Sequence, residues 1–195
     1  MKVARLLGVI LLGFGPSLAL ARAPVYFTLY AGGETHDVEY QFAQPLNLDL
    51  DDNGDTLGFG VGYEITDHWI MQLDYTYSDA DQVTVEQVIL SLNYKFPFLI
   101  KGMHGFVGVL GGEGRLKWEH EPDFSDNLVD DTEGKQSMLG AQVGLSYDIS
   151  ESWSSSLTYQ YLDQEFKTHF LTDGGRVNFF HDSFQYVLFG MSYHF

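Results

Sequence analysis

Between residues 25 and 195 the chain alternates apolar and polar positions with a period of two, the spacing of side chains along a β-strand. Leu57, Phe59, Val61, Tyr63 and Ile65 alternate with Thr56, Gly58, Gly60, Gly62 and Glu64, giving one apolar face and one small or polar face. After Thr66-Asp67-His68 the pattern resumes with Trp69, Met71, Leu73, Tyr75 and Tyr77 against Gln72, Asp74 and Thr76. The same alternation marks residues 88–96, 141–149, 153–161 and 187–195. Two weaker stretches, 25–32 and 103–111, bring the predicted strands to eight.

A hairpin recurs within this series. Gly60, Tyr63, Ile65, Trp69, Leu73, Tyr75 and Tyr77 return as Gly144, Tyr147, Ile149, Trp153, Leu157, Tyr159 and Tyr161. In each copy the aromatic residues sit at strand ends and the aliphatic ones in the middle. A strand facing lipid requires that segregation, with hydrocarbon against aliphatics and headgroups against Tyr and Trp. The apolar face is therefore expected to point outward to lipid, and the Gly, Ser, Thr and Gln face into a lumen. Short turns near 66–68, 97–101 and 150–152 alternate with longer connections near 33–55, 78–84, 112–135 and 162–182, as a barrel with one trimmed rim requires. The predicted fold is all-β, an eight-stranded antiparallel up-and-down transmembrane β-barrel, whose closure leaves no strand edge unpaired in hydrocarbon. A soluble eight-stranded barrel of the lipocalin kind is the rival, but it would put Tyr, Trp and Phe inside and glycine outside.

The N-terminus departs from this pattern. Lys2 and Arg5 precede an apolar run from Leu6 to Leu20 that ends in Ala19-Leu20-Ala21, which reads as a signal peptide over residues 1–21, with the barrel domain over 22–195. The absence of cysteine excludes disulfide scaffolds and thiol chemistry. With 27 acidic and 10 basic residues the formal charge is −17, so nucleic acid is excluded as a partner.

Three groups of residues are candidates for chemistry. By strand parity Glu64, Lys95, Asp148 and His194 each take the last inward position before the short-turn rim, so they are expected to form one polar layer in the lumen. An eight-stranded barrel is just wide enough for side chains to fill, so an open diffusion pore is not expected. Asp49, Asp51, Asn53 and Asp55 match the first half of a calcium loop, though the position that should be Glu is Gly60. Loop 33–55 carries no Lys or Arg to offset its crowded carboxylates, so weakly bound Ca²⁺ or Mg²⁺ is the expected remedy, with no other cofactor. Loop 112–135 is of similar acidic character. His181 and Ser183, with Glu165 before them, are the one nucleophile and base pair worth weighing.

The chain resembles the small OmpA-type and OmpX-type outer membrane barrels of Gram-negative bacteria. The resemblance rests on the Gly-x-Gly-Val-Gly-Tyr strand at 58–63, the repeated turns and the ending Gly190-Met191-Ser192-Tyr193-His194-Phe195. It implies that Tyr193 and Phe195 form the assembly signal read by the barrel-assembly machinery, and that the surroundings are outer membrane lipid and lipopolysaccharide. The His181 and Ser183 pair is similar to that of outer membrane lipid A deacylases. Those enzymes follow the Ser with Asn, where this chain has Phe184, and their downstream acid is missing. The expectation is accordingly an integral outer membrane protein, not an enzyme, with a structural or surface-interaction role. The alternatives are an adhesin or host-factor binder with an extracellular protein partner, and a lipid-modifying enzyme.

Overall fold

The computed structural model describes residues 24–41, 53–80, 83–118, 133–172 and 175–195. The segment read as a signal peptide lies outside them, as do Asp49 and Asp51. The described residues form β1 (Val25–Gln41), β2 (Asn53–Glu64), β3 (Trp69–Ala80), β4 (Val83–Pro97), β5 (Met103–Trp118), β6 (Glu133–Asp148), β7 (Trp153–Asp163), β8 (Phe166–Thr172) and β9 (Gly175–His194). Neighbours pair antiparallel in the order β1-β2-β3-β4-β5-β6-β7-β9-β8, and β1 pairs with β9 to close the sheet on itself. β8 is not a ninth stave. β7 pairs with β9 as far as Leu162 opposite Phe184, and β8 takes over from Phe166 opposite His181. The wall therefore has eight staves, the seventh interrupted at Gln164 and Glu165.

The sequence repeat is a repeat of turn chemistry. Ile65 N–H donates to the Trp69 carbonyl at 2.8 Å and Ile149 N–H to the Trp153 carbonyl at 2.8 Å. The Thr66 hydroxyl accepts from Trp69 N–H at 3.0 Å, as the Ser150 hydroxyl accepts from Trp153 N–H at 3.1 Å. A hydroxyl two or three residues before the strand mimics a backbone acceptor, which fixes the turn. Each Trp then meets a Tyr on the next strand edge to face, Trp69 on Tyr94 at 5.3 Å and Trp153 on Tyr193 at 5.1 Å. These pairs, with Tyr63 and Tyr147, form the lower aromatic girdle.

Above the girdle the outer face is mainly aliphatic and exposed, with Leu57, Val61, Leu73, Leu90, Leu92, Val109, Val143 and Leu157 among its residues. From β2 into the turn that follows it this face runs over residues 57–65, in keeping with the roughly 9–11 residues a tilted strand needs to cross hydrocarbon. Asp55, Asp79, Glu86, Glu113 and Asp163 stand at the next outward positions and mark its upper limit.

Beyond that limit the structure corrects the expected loops. Much of 33–55, 78–84, 112–135 and 162–182 is strand, and β9 alone is 20 residues long. At about 3.3 Å per residue β9 extends to about 66 Å, far more than a hydrocarbon band of about 25 Å requires even at the usual tilt. In these extensions the phase of the alternation inverts. Val83, Val85, Leu116, Trp118, Phe166 and Phe179 turn inward, while Glu86, Lys117 and Lys167 face out. The reason is solvent: where lipid ends, water surrounds the wall, and the apolar residues bury themselves inside. The lumen therefore has two storeys. The lower one has the expected polar lining; the upper one is filled by Val85, Ile89, Leu110, Leu116, Trp118, Met138, Leu162, Phe166, Phe179, Phe184 and Leu188.

Candidate functional site

Glycine on β2 and β5 decides how the lower storey closes. A Cβ at Gly60 would overlap the Asp74 carboxylate and one at Gly62 would overlap the Tyr26 ring, so side chains of β1 and β3 meet above β2. There the Tyr26 hydroxyl donates to Gln72 Oε1 at 2.6 Å, and Gln72 Nε2 donates to Asp74 Oδ1 at 2.7 Å and to the Tyr30 hydroxyl. A second bridge crosses β5, because Asn93 leans over Gly108. Gln160 Nε2 donates to Gln142 Oε1 at 2.9 Å, Gln142 Nε2 to Asn93 Oδ1 at 2.5 Å, and Asn93 Nδ2 to Ser91 Oγ at 3.0 Å. Higher up, Gln87 Nε2 donates to Gln164 Oε1 at 3.0 Å. Amides suit this work because each carries both donor and acceptor, so a chain of them satisfies itself without net charge.

Beneath these bridges lies a cavity of about 80 Å³, and Glu64, Lys95, Asp148 and His194 all line it. They do not act as one cluster. Lys95 Nζ pairs with Glu64 Oε1 at 3.3 Å, half-buried on both sides. Asp148 Oδ2 lies 3.2 Å from Nε2 of His104, a residue the sequence reading did not single out. His104 shares the inward parity of β5, so the weak alternation over 103–111 was the signal available for it. His194 Nε2 shares a hydrogen bond with Ser154 Oγ at 2.9 Å, and its ring tilts against Tyr26 at 5.1 Å. Each charge in the layer thus has its own neighbour, and the remaining wall is hydroxyl and amide apart from Ile70 and Phe106.

The upper storey holds a second polar group. Glu34 Oε1 accepts from His36 Nδ1 at 2.9 Å, with both side chains wholly buried, and His36 Nε2 lies 3.2 Å from His181 Nδ1. Aromatic rings enclose the chain: His36 stacks on Phe184 at 4.9 Å and His181 meets the edge of Trp118 at 5.5 Å. Asp37 and Asp182, which follow His36 and His181 in the chain, pair across β1 and β9 facing outward and place this level in water above the lipid band. Burial, and then His36 beside it, push the His181 imidazole down to about 3. Among the described residues Glu34 Oε2, His181 Nε2 and the Tyr186 hydroxyl are buried without a hydrogen-bond partner. The donors follow one another in a line and do not converge. Among the described residues no three His, Cys, Asp or Glu side chains are placed to hold a metal ion.

The nucleophile and base pair comes apart. Ser183 has φ 55° and is the extra residue of a bulge where Thr35 opposes Gln185 but Asp37 opposes Asp182. The bulge keeps His181 and Phe184 both inward and leaves Ser183 on the other face, where the Tyr161 hydroxyl donates to it at 3.4 Å. Glu165 pairs with Lys167 at 2.6 Å instead of orienting the imidazole. No Ser-His-acid relay is assembled from these residues. Of the calcium-loop residues, Asn53 and Asp55 are described, both in the β1–β2 ladder opposite Thr35 and Gly33. Asp55 also stands opposite Asp79.

Outside the upper storey the wall carries Asp37, Glu39, Asp163, Glu165 and Asp182, an acidic collar above the lipid band. Burial first, and the four other carboxylates after it, hold the Asp182 carboxyl above the usual range. At the lower rim Tyr193 stacks edge-on with Phe195 at 5.2 Å, and Phe195 N–H reaches the Val25 carbonyl at 3.3 Å, so the chain end is seated where the barrel closes.

Comparison with known proteins agrees with this architecture. The crystal structure of Neisserial surface protein A superposes with a TM-score of 0.60 at 14% identity, covering 90% of this chain and 100% of that one. The outer membrane protein OprG from Pseudomonas aeruginosa superposes with a TM-score of 0.58 at 14% identity, covering 92% of this chain and 99% of that one. At such identities the likeness is one of fold. No curated protein matches the chain by sequence. The model of the outer membrane protein beta-barrel domain matches residues 7–195, so the chain belongs to that family, and its place is the outer membrane.

Proposed function

We propose that this is a sealed outer membrane barrel that works through its surfaces and not through its lumen. The observation that carries this reading is double closure. The amide bridges around Gln72 and Gln142 cross the lower storey, and a packed apolar core fills the upper one. A solute would have to break both, and apolar side chains packed at native density leave no continuous water path. What remains for function is the outside: a lipid-facing belt, and above it strand extensions that carry the acidic collar out of the membrane. The collar offers a basic protein surface, or divalent cations shared with lipopolysaccharide phosphates, a complementary charge. Tyr193 and Phe195 are the residues through which the barrel-assembly machinery would recognise the chain. Swelling of vesicles carrying the folded protein tests the reading. No uptake of small sugars or amino acids above that of empty vesicles is expected, and solute-dependent swelling would refute it.

A further inference from the structure

The three described turns at the lower rim are not alike. Those after β2 and β6 run Ile65-Thr66-Asp67-His68 and Ile149-Ser150-Glu151-Ser152, with a carboxylate at each tip. The turn between β4 and β5 instead runs Phe98-Leu99-Ile100-Lys101. Leu99 is 96% exposed, the most of any large apolar residue described, and Ile100 and Phe98 are 57% and 45% exposed. Single exposed apolar residues need no explanation, but three in succession at a turn tip do.

The patch continues a surface already assigned to lipid. Down the outer face of β4 come Leu90, Leu92 and Tyr94, then Phe96, whose ring covers Gly105, and then Phe98. No polar side chain interrupts this outward series before Lys101. The turn is also internally bonded. Phe98 N–H donates to the Met103 carbonyl at 3.0 Å and Met103 N–H to the Ile100 carbonyl at 3.0 Å, while the Gly102 carbonyl accepts from Asp148 N–H at 2.8 Å. Gly102 closes the turn at φ 81°, a conformation that glycine adopts without strain. These bonds satisfy the Phe98 and Met103 N–H groups and the Ile100, Gly102 and Met103 carbonyls within the protein and hold the turn closed.

We propose that the β4–β5 turn is seated in the inner leaflet of the outer membrane, with Phe98, Leu99 and Ile100 at the boundary of headgroups and acyl chains and Lys101 against lipid phosphate. Charge favours this occupant: an anionic headgroup attracts Lys101 and repels Asp67 and Glu151, which keep the other two turns in water. The lower rim thus meets the membrane unevenly, with one anchored turn and two free ones.

Because the chain has no cysteine, single replacements report one position each. Leu99→Cys, with Asp67→Cys and Ser150→Cys as references, would carry an environment-sensitive fluorophore on the full chain, folded in vesicles of phosphatidylethanolamine and phosphatidylglycerol. The label at 99 is expected to emit to the blue, to be quenched by lipids spin-labelled high on the acyl chain, and to be severalfold less quenched by iodide than those at 67 and 150. Iodide quenching equal at all three positions would overturn the proposal. So would protection at 99 without quenching by lipid, or protection that fades as protein is diluted with lipid, since these describe a protein partner or a second copy. Leu99→Trp, read by quenching with brominated lipid, gives the same decision where the bulk of a label prevents folding.

Discussion

His181 and His36 are 145 residues apart in the chain, yet their ring nitrogens lie 3.2 Å apart inside the upper barrel, with Glu34 behind His36. The contact requires the bulge at Ser183, without which His181 would face out. It makes the extracellular half sensitive to acid. The folded value for His181 is about 3, against an ordinary value of 6.5. The unfolded chain therefore binds the extra proton first as pH falls, and stability is lost below pH 6.5 down towards the folded value. Between about pH 7.5 and about pH 4.5 the loss amounts to at most about 3 kcal/mol. Unfolding of the detergent-folded protein, followed by fluorescence at the two pH values, measures it. His181→Gln should lose most of this dependence, and an unchanged slope would assign it to other groups.

The glycine bridges make a steric prediction. Gly62→Leu drives a side chain into the Tyr26 ring and Gly60→Val drives one into Asp74, so each should cost about 1–3 kcal/mol of stability. Gly33→Ala meets only ordinary contact, at 3.7 Å from the Gly54 carbonyl, and should be tolerated. Urea midpoints of the three variants separate them, and equal midpoints would show that the lumen yields to new side chains.

The upper storey behaves as the core of a water-soluble barrel. Phe166 is fully buried and meets Phe184 edge-on at 5.7 Å. Phe166→Ala should cost about 3–5 kcal/mol and raise hydrogen exchange in β8 and the adjoining part of β9. Exchange in the lipid-embedded half of β3 should not change. Faster exchange throughout would mean that the two storeys unfold as one.

Much of this fold was legible in the alternation. The lipid-facing parity of Leu57 to Ile65, and the inward positions of Glu64 and Lys95, follow from counting by two, because lipid forces a strict pattern on every stave. The inverted phase above the lipid band was not legible. Val83-Thr84-Val85-Glu86 and Phe166-Lys167-Thr168 are short, and where apolar residues are taken to face outward Val83 and Thr84 fall in the connection 78–84 and residues 166–168 in the connection 162–182. The separation of His181 from Ser183 was hidden for a different reason. It depends on one residue at φ 55°, and a bulge leaves no mark on hydrophobic periodicity.

The terminal residues make an assembly prediction. Phe195 anchors on the Val25 carbonyl beside Tyr193, which in turn packs on Trp153. Deleting Phe195 should lower the amount of heat-modifiable barrel in the outer membrane more than it lowers synthesis, as quantified on unboiled gels. Undiminished assembly would remove the terminal ring from the recognition signal.

Single-channel conductance in planar bilayers reads the closed lumen most directly. The folded wild-type protein should show no steady open channel, and a variant carrying Gln72→Ala, Gln142→Ala, Phe166→Ala and Phe179→Ala, which strips both closures, should conduct. A wild-type barrel that conducts as readily as that variant would contradict the sealed lumen.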